Sequence, residues 1–281
     1  MSTLSRPLRS RLSVRPNLLV GGLFLGMVLV AALVGLVWTP YDPLAIHLRA
    51  RLAPPSGDFW LGTDEFGRDV LSRLLVGAGS SVWISVTTVL CAVGAGTLIG
   101  LTAGFFRGWL DRIAMTCNDA LLAFPGILLA LGLLAVLGPG RDGIILALGL
   151  AYTPLVVRVV RSTVLSLRER EFVEASAVIG NGAAYTVFRH VLPNCLAPLT
   201  IMATAMFGWV LLSESALSFL GLGVPPPAPT WGNMLAASRP HLLTAPWLGI
   251  LPGLCISFAL LGINLLGDVL RDRLDPRMQG L

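Results

Sequence analysis

The sequence predicts an all-α, polytopic membrane protein with six transmembrane helices. Three observations predict it. Of 281 residues, 55% are hydrophobic and only 12% are charged, against about 25% charged in a soluble domain. The chain contains runs almost free of charge, several approaching the ~20 apolar residues that cross a bilayer. Polar segments rich in Arg, Gly or Pro separate these runs. The same composition excludes other classes. All 20 basic residues are Arg, so a Walker A lysine and a Schiff-base lysine are both ruled out. The net charge of +5 is spread along the chain and reads as a topology signal rather than a nucleic-acid footprint. Cys91, Cys117, Cys195 and Cys255 are scattered, as are His47, His190 and His241. Without CxxC or HExxH, neither a disulfide framework nor a zinc site is indicated.

In order, residues 1–16 form a basic tail with Arg6, Arg9, Arg11 and Arg15. Residues 17–38 are free of charge and end in Trp38-Thr39-Pro40-Tyr41. That ending is an interfacial anchor rather than a small-residue cleavage site, so the run reads as an uncleaved first span. Residues 39–80 form a polar, extracytoplasmic insert. Within it, 68–75 can make a short amphipathic helix capped by neighbouring acids, a simpler reading than a metal site. The remaining spans fall at about 81–104, 120–137, 144–157, 196–220 and 247–266. They make 81–268 a five-helix core, followed by a tail at 269–281. Gly96, Gly100 and Gly104 recur every fourth residue and offer one smooth face for helix packing, with Gly22 and Gly26 as a shorter version in the first span. Pro125-Gly126 can loosen the third span. Asp119, Glu214 and Asn264 are polar residues at span ends or inside spans and are candidates for a translocation path. For Glu214 the alternative is a hydrogen-bonded place near the outer end, among Ser213, Ser215 and Ser218. Six spans put both termini in the cytoplasm, and fourteen of the 20 Arg then lie on the inner side.

The organising stretch is the loop at about 162–195, the longest polar interruption in the second half of the chain. Arg168, Glu169, Arg170, Glu171 and Glu174 crowd its start, and an uncharged stretch runs from Ala175 to Phe188. Phe172, Ala175 and Ile179, with Val178 alongside, mark one face of a short amphipathic helix, and Glu171 and Glu174 mark another. Gly180-Asn181-Gly182 is a turn signal, a second apolar set follows at Ala184, Val187 and Phe188, and Pro193 punctuates the chain before the fifth span. Helix, glycine break, helix and proline describe a knob, which can lie on lipid or dock on a partner.

Glu174-Ala175-Ser176, Gly180 after three intervening residues, and Leu192-Pro193 after a further interval resemble the EAA loop of ABC-importer membrane subunits. Ser176 replaces the second alanine of that pattern, and His190 stands where isoleucine is usual. His190 followed by Val191-Leu192-Pro193-Asn194 is similar to the peptide and nickel branch. Leu61 to Asp69, Leu217 to Gly223 with Trp231-Gly232, and Asn264 to Arg277 resemble further segments of that branch, so the likeness runs from Leu61 to Arg277. It implies the type I ABC-importer permease fold in a bacterial inner membrane. It implies peptide transport, with nickel or another small solute as the alternative. It also implies coupling to ATPases through Glu174, Ala175, Ser176 and Gly180, with Arg189 and His190 as further candidates. Implied partners are a second, homologous permease subunit in a heterodimeric pore, two ABC ATPase subunits that bind ATP and Mg, and an extracytoplasmic substrate-binding protein. No cofactor, metal or catalytic residue is expected on this chain. The rival classes are an intramembrane aspartyl protease and a self-sufficient channel. Gly-x-Gly-Asp and GxSxG are absent, Asp42 and Asp268 fall at or beyond span ends, and the long loop argues against a channel.

Overall fold

The computed structural model describes residues 10–274, so most of both charged tails lies outside it. Described residues fold into α1 (Ser10–Val37), α2 (Val70–Phe106), α3 (Gly108–Leu122), α4 (Gly126–Leu137) and α5 (Arg141–Arg168). These are followed by α6 (Glu171–Val178), α7 (Ala183–Thr186), a π-helical turn (Val187–Val191), α8 (Leu192–Phe219), α9 (Trp231–Ala237) and α10 (Trp247–Leu274). No strand occurs among them. Five helices are long and apolar enough to cross a membrane, and α3 with α4 form a sixth, broken candidate bent by 94°.

The helices are longer than the sequence pattern indicates. The amphipathic stretch at 68–75 is not a separate surface helix: α2 starts at Val70 and runs without interruption into the second span. Gly77 and Gly79 are tolerated inside it, because a helical glycine costs only about 1 kcal/mol relative to alanine. Asp69 caps α2, its Oδ2 accepting from Ser72 N at 2.8 Å and Ser72 Oγ at 2.6 Å. The fourth span extends to 141–168. The third is broken where the sequence suggests only loosening, because Pro125 has no N–H to donate and its ring disfavours a helical residue before it. Pro193 does not punctuate the chain: the helix is continuous from Ala183 to Phe219, and the proline sits in the first turn of α8. There the wider π turn absorbs the missing N–H. Asn194 Nδ2 donates to the carbonyl of His190 at 2.7 Å.

The chain divides into two compact units, and the boundary falls inside α2. One unit is drawn from Met1–Gly79 and Ser238–Leu281. Here α1 packs on α10, with Phe24 and Phe258 stacked at 5.0 Å. A Cβ on Gly262 would lie 2.7 Å from the backbone of Leu25. Gly22 and Gly26 face open space, so the close approach uses Gly21 and Gly262 instead. The insert is tied by a buried polar knot. Asp64 Oδ1 accepts from the amides of Phe66 and Arg68, and its Oδ2 pairs with Arg68 Nε at 2.6 Å. The acids of 61–69 are thus paired or capping, and Asp64 and Asp69 are buried rather than on the surface.

The other unit, Ser80–Ala237, carries the candidate site. Its spine is the α2–α5 contact, where Gly96, Gly100 and Gly104 meet Val156, Val160 and Val164 in turn. Both series repeat every four residues, so glycine hollows on one helix receive valine ridges from the other.

Candidate functional site

The knob begins where α5 ends. Arg168 Nη1 donates to the carbonyl of Phe105 at 2.8 Å, tying the end of α5 to the end of α2. After a two-residue turn, α6 starts with Glu171 and Glu174 in its first turn, where the positive end of the helix dipole favours acids. It ends in a Schellman motif: Asn181 N donates to Ser176 O at 3.1 Å and Gly180 N to Ala177 O at 3.0 Å. Gly180 has φ +90°, a conformation that costs glycine little. Nothing lies within 4 Å of where its Cβ would be, so conformation rather than space requires glycine there.

Ser176 is buried inside the knob rather than offered to a partner. Its hydroxyl is hydrogen-bonded to Thr186 Oγ1 at 2.9 Å and accepts from Asn181 Nδ2 at 3.2 Å. With Val173 it forms the inward face of α6. Of the apolar positions read from the sequence, Val187 is buried and the others point out. Val178 is 82% exposed and Ile179 79%, with Phe172, Tyr185 and Phe188 also exposed. Ala175, Glu171 and Glu174 lie on the same outer surface. Arg189 is exposed and lines a shallow hollow of about 390 Å³ with Ala184, Tyr185 and Phe188. His190 is half-buried, its ring 5.8 Å from Tyr185 and 6.4 Å from Phe172. Glu174, Ala175, Gly180, Arg189 and His190 thus belong to one protrusion with an apolar outer surface fringed by carboxylates, and Ser176 is its internal pin. Asn181 and Thr186 complete the pin. Nothing in the sequence marks Thr186, whereas an Asn after the C-terminal glycine of a helix is a recognisable cap signal.

The three polar candidates for a path have different surroundings. Asn264 lies exposed on α10, in the other unit. Asp119 is on α3, hydrogen-bonded to Arg158 of α5 at 2.7 Å. Glu214 is fully buried and takes the hydrogen-bonded alternative. Its Oε1 accepts from Ser218 Oγ at 2.9 Å and Thr230 Oγ1 at 3.0 Å, which ties the start of α9 to α8. Trp231 N donates to Ser81 Oγ at 3.1 Å, tying α9 to α2 as well. A Cβ on Gly232 would lie 2.8 Å from Ser215 Cα and 3.0 Å from Glu214 Oε2, so glycine lets α9 sit against the carboxylate.

Residues 96–280 match the family model of the binding-protein-dependent transport system inner membrane component. The chain belongs to that family. It is a permease component of a binding-protein-dependent importer of the inner membrane, a class that works with ATPase and substrate-binding partners. A putative peptide transport system permease protein of Brucella suis is 42% identical over 269 residues, covering 96% of this permease and 90% of that protein. The dipeptide transport system permease protein DppC of Alkalihalophilus pseudofirmus is 44% identical over 229 residues, 82% of this permease and 75% of that protein. Among solved structures, the MetNI methionine ABC transporter in inward-facing conformations shares the fold. Its TM-score is 0.52 at 20% identity, covering 69% of this permease and 94% of that chain.

Proposed function

We propose that this permease carries dipeptides and oligopeptides across the inner membrane by alternating access, and that its knob is the coupling element driven by partner ATPases. One observation carries the reading. The outer surface of α6 and α7 is apolar with an acidic fringe, yet it belongs to a short protrusion held rigid from inside by Val173, Ser176 and Thr186. A surface this apolar, built on a pinned scaffold, suits a cleft on a soluble motor subunit. Its rigidity lets a push at Ile179 reach α5 and α8 without being absorbed locally.

In this reading Glu174 meets a basic or polar group of the ATPase, Ala175 allows close approach, Gly180 sets the turn, and Arg189 and His190 flank the contact. ATP and Mg reside on two ATPase subunits, and this chain holds no nucleotide. The other half of the pore is a second, homologous permease subunit, a heterodimeric partner. An extracytoplasmic binding protein delivers substrate, and both termini face the cytoplasm. Peptide is favoured as substrate because the proteins over 40% identical across most of the chain are named for peptides.

Dipeptide uptake by the assembled complex in proteoliposomes, for the native chain and for Glu174→Arg, tests the proposal. The native complex is expected to accumulate dipeptide with ATP. The variant is expected to hydrolyse ATP with uptake lowered at least ~10-fold, the loss of about 1.4 kcal/mol of coupling. Unchanged uptake by the variant contradicts the role of the knob, and native uptake of nickel but not peptide contradicts the substrate.

A further inference from the structure

An exposed ion pair, Asp119–Arg158, stands beside a helix broken by a 94° bend. Asp142 is in the first turn of α5, and Arg158 lies sixteen residues further on. At ~1.5 Å per residue that is ~24 Å, short of the ~30 Å hydrocarbon core even for an untilted helix. A second count, along α4, agrees. It is antiparallel to α5, packed so that a Cβ on Gly143 would touch Leu134 at 3.3 Å. With twelve residues it spans only ~18 Å. With the turn at 138–143 at the outer boundary, where six spans with both termini inside place it, Arg158 and the break at Ala123 to Pro125 both fall within the hydrocarbon thickness, and all three residues of the break are exposed. Asp119 is one turn before the break, its carbonyl accepting from Ala123 N at 3.0 Å.

Asp119 and Arg158 share one hydrogen bond of 2.7 Å, and each side chain is 58% exposed. The neighbouring pair is different in kind. Arg161 grips Asp111 through two bonds, at 2.5 and 2.7 Å, and both side chains are largely covered. Asp111–Arg161 is built as a structural clasp between α3 and α5. Asp119–Arg158 is open and singly bonded, and such a pair separates easily. Hydrocarbon cannot face an exposed ion pair, nor exposed non-helical backbone. Both occur at membrane depth only against protein or a water-filled cavity.

We propose that Asp119 and Arg158 line an aqueous path through the membrane and form a contact site for the two charged ends of a short zwitterionic peptide. Arg158 exchanges Asp119 for the peptide's terminal carboxylate, which its planar guanidinium can hold through two hydrogen bonds. The freed Asp119 carboxylate accepts from the terminal ammonium. When the peptide leaves, the pair closes again, so neither charge is left unpaired in the membrane. The ligand class rests on the peptide reading above; the aqueous exposure does not.

The test uses the assembled complex in proteoliposomes, in a parent where Cys91 and Cys117, the two exposed cysteines, are serine. Arg158→Cys and, separately, Asp119→Cys are treated with a membrane-impermeant, cationic methanethiosulfonate. Both are expected to react well above the parent. Protection is read at Ala123→Cys, at an exposed position beside an intact pair: saturating alanyl-alanine is expected to slow its reaction at least ~5-fold, and its N-acetyl, C-amide derivative is expected not to. If neither cysteine reacts in a complex that still assembles, the pair is sealed by lipid or protein and the proposal falls. Reaction without dipeptide protection, in a complex whose parent takes up dipeptide, overturns the peptide site. A parent that takes up no dipeptide fails the peptide reading itself, and the reactivity of the two cysteines still decides whether the pair faces water.

Discussion

At the scale of single residues, the α2–α5 contact depends on three hydrogen atoms. A Cβ at Gly100 would lie 2.7 Å from Val160 Cβ and 3.0 Å from the carbonyl of Val157. Gly100→Ala must therefore push the helices apart, and overpacking of this kind costs about 1–3 kcal/mol. The melting temperature of the purified complex in detergent is expected to fall for Gly100→Ala and to stay the same for Gly22→Ala, whose site is open. Glu214 makes a second prediction. Its Oε1 accepts two hydroxyl protons at the junction of α8 and α9, and an amide oxygen can do the same. Glu214→Gln is expected to keep the 221–230 loop as resistant to limited proteolysis as in the native protein. Glu214→Ala leaves the Ser218 and Thr230 hydroxyls without their acceptor, at about 1–3 kcal/mol, and is expected to make that loop readily cleaved.

At the scale of elements, the knob shows how much is legible in a sequence and where legibility stops. The glycine turn, the start of α6 and the grouping of acids all follow from local chemistry, because caps and turns are decided by neighbours in the chain. Which face of α6 turns inward is not local. Phe172, Ala175 and Ile179 make an apolar stripe that suits a core or a partner equally well. Burial went to Val173 and Ser176 because Thr186, ten residues beyond Ser176, meets the serine hydroxyl. The break at Pro125 is similar: the proline is visible, but the 94° bend depends on α3 packing across α5 through Asp111 and Asp119. The short helix α9 was hidden for the same reason, since Ser81 and Glu214 fix it from elsewhere in the chain. The Asp69 cap of α2 is local and was readable; what Gly77 and Gly79 concealed is that the helix it starts runs on into the second span. The short apolar interval between Asp142 and Arg158 was a readable sign of a charge at depth. The knob itself is tested by Gly180→Ala. With φ at +90° the substitution strains the Schellman turn by about 1 kcal/mol or more. ATP-driven uptake is expected to fall several-fold while membrane insertion, measured by extraction with alkali, is unaffected.

At the scale of the whole molecule, the permease is a set of long apolar helices with few places where force or charge can act. Outside the membrane-spanning helices, the knob is the part of the Ser80–Ala237 unit that combines rigid internal pinning with an exposed apolar surface. Along those helices, Asp119 and Arg158 form an exposed ion pair next to exposed, broken backbone. A mechanical input at the first and a polar path at the second are what the proposed transport requires. Alternating access requires that motion at the first change exposure at the second, and α5 joins them, running from Arg158 to the start of the knob at Arg168. The most direct measurement is therefore a cross-link. With Ile179→Cys in the assembled importer, a short bifunctional thiol reagent is expected to join this chain to an ATPase subunit carrying a cysteine in its surface cleft, with a yield that changes between the nucleotide-free and ATP-bound states. Contradiction would be an Ile179→Cys side chain that is labelled from the extracytoplasmic side, or that reacts freely in the intact complex and cross-links to no ATPase.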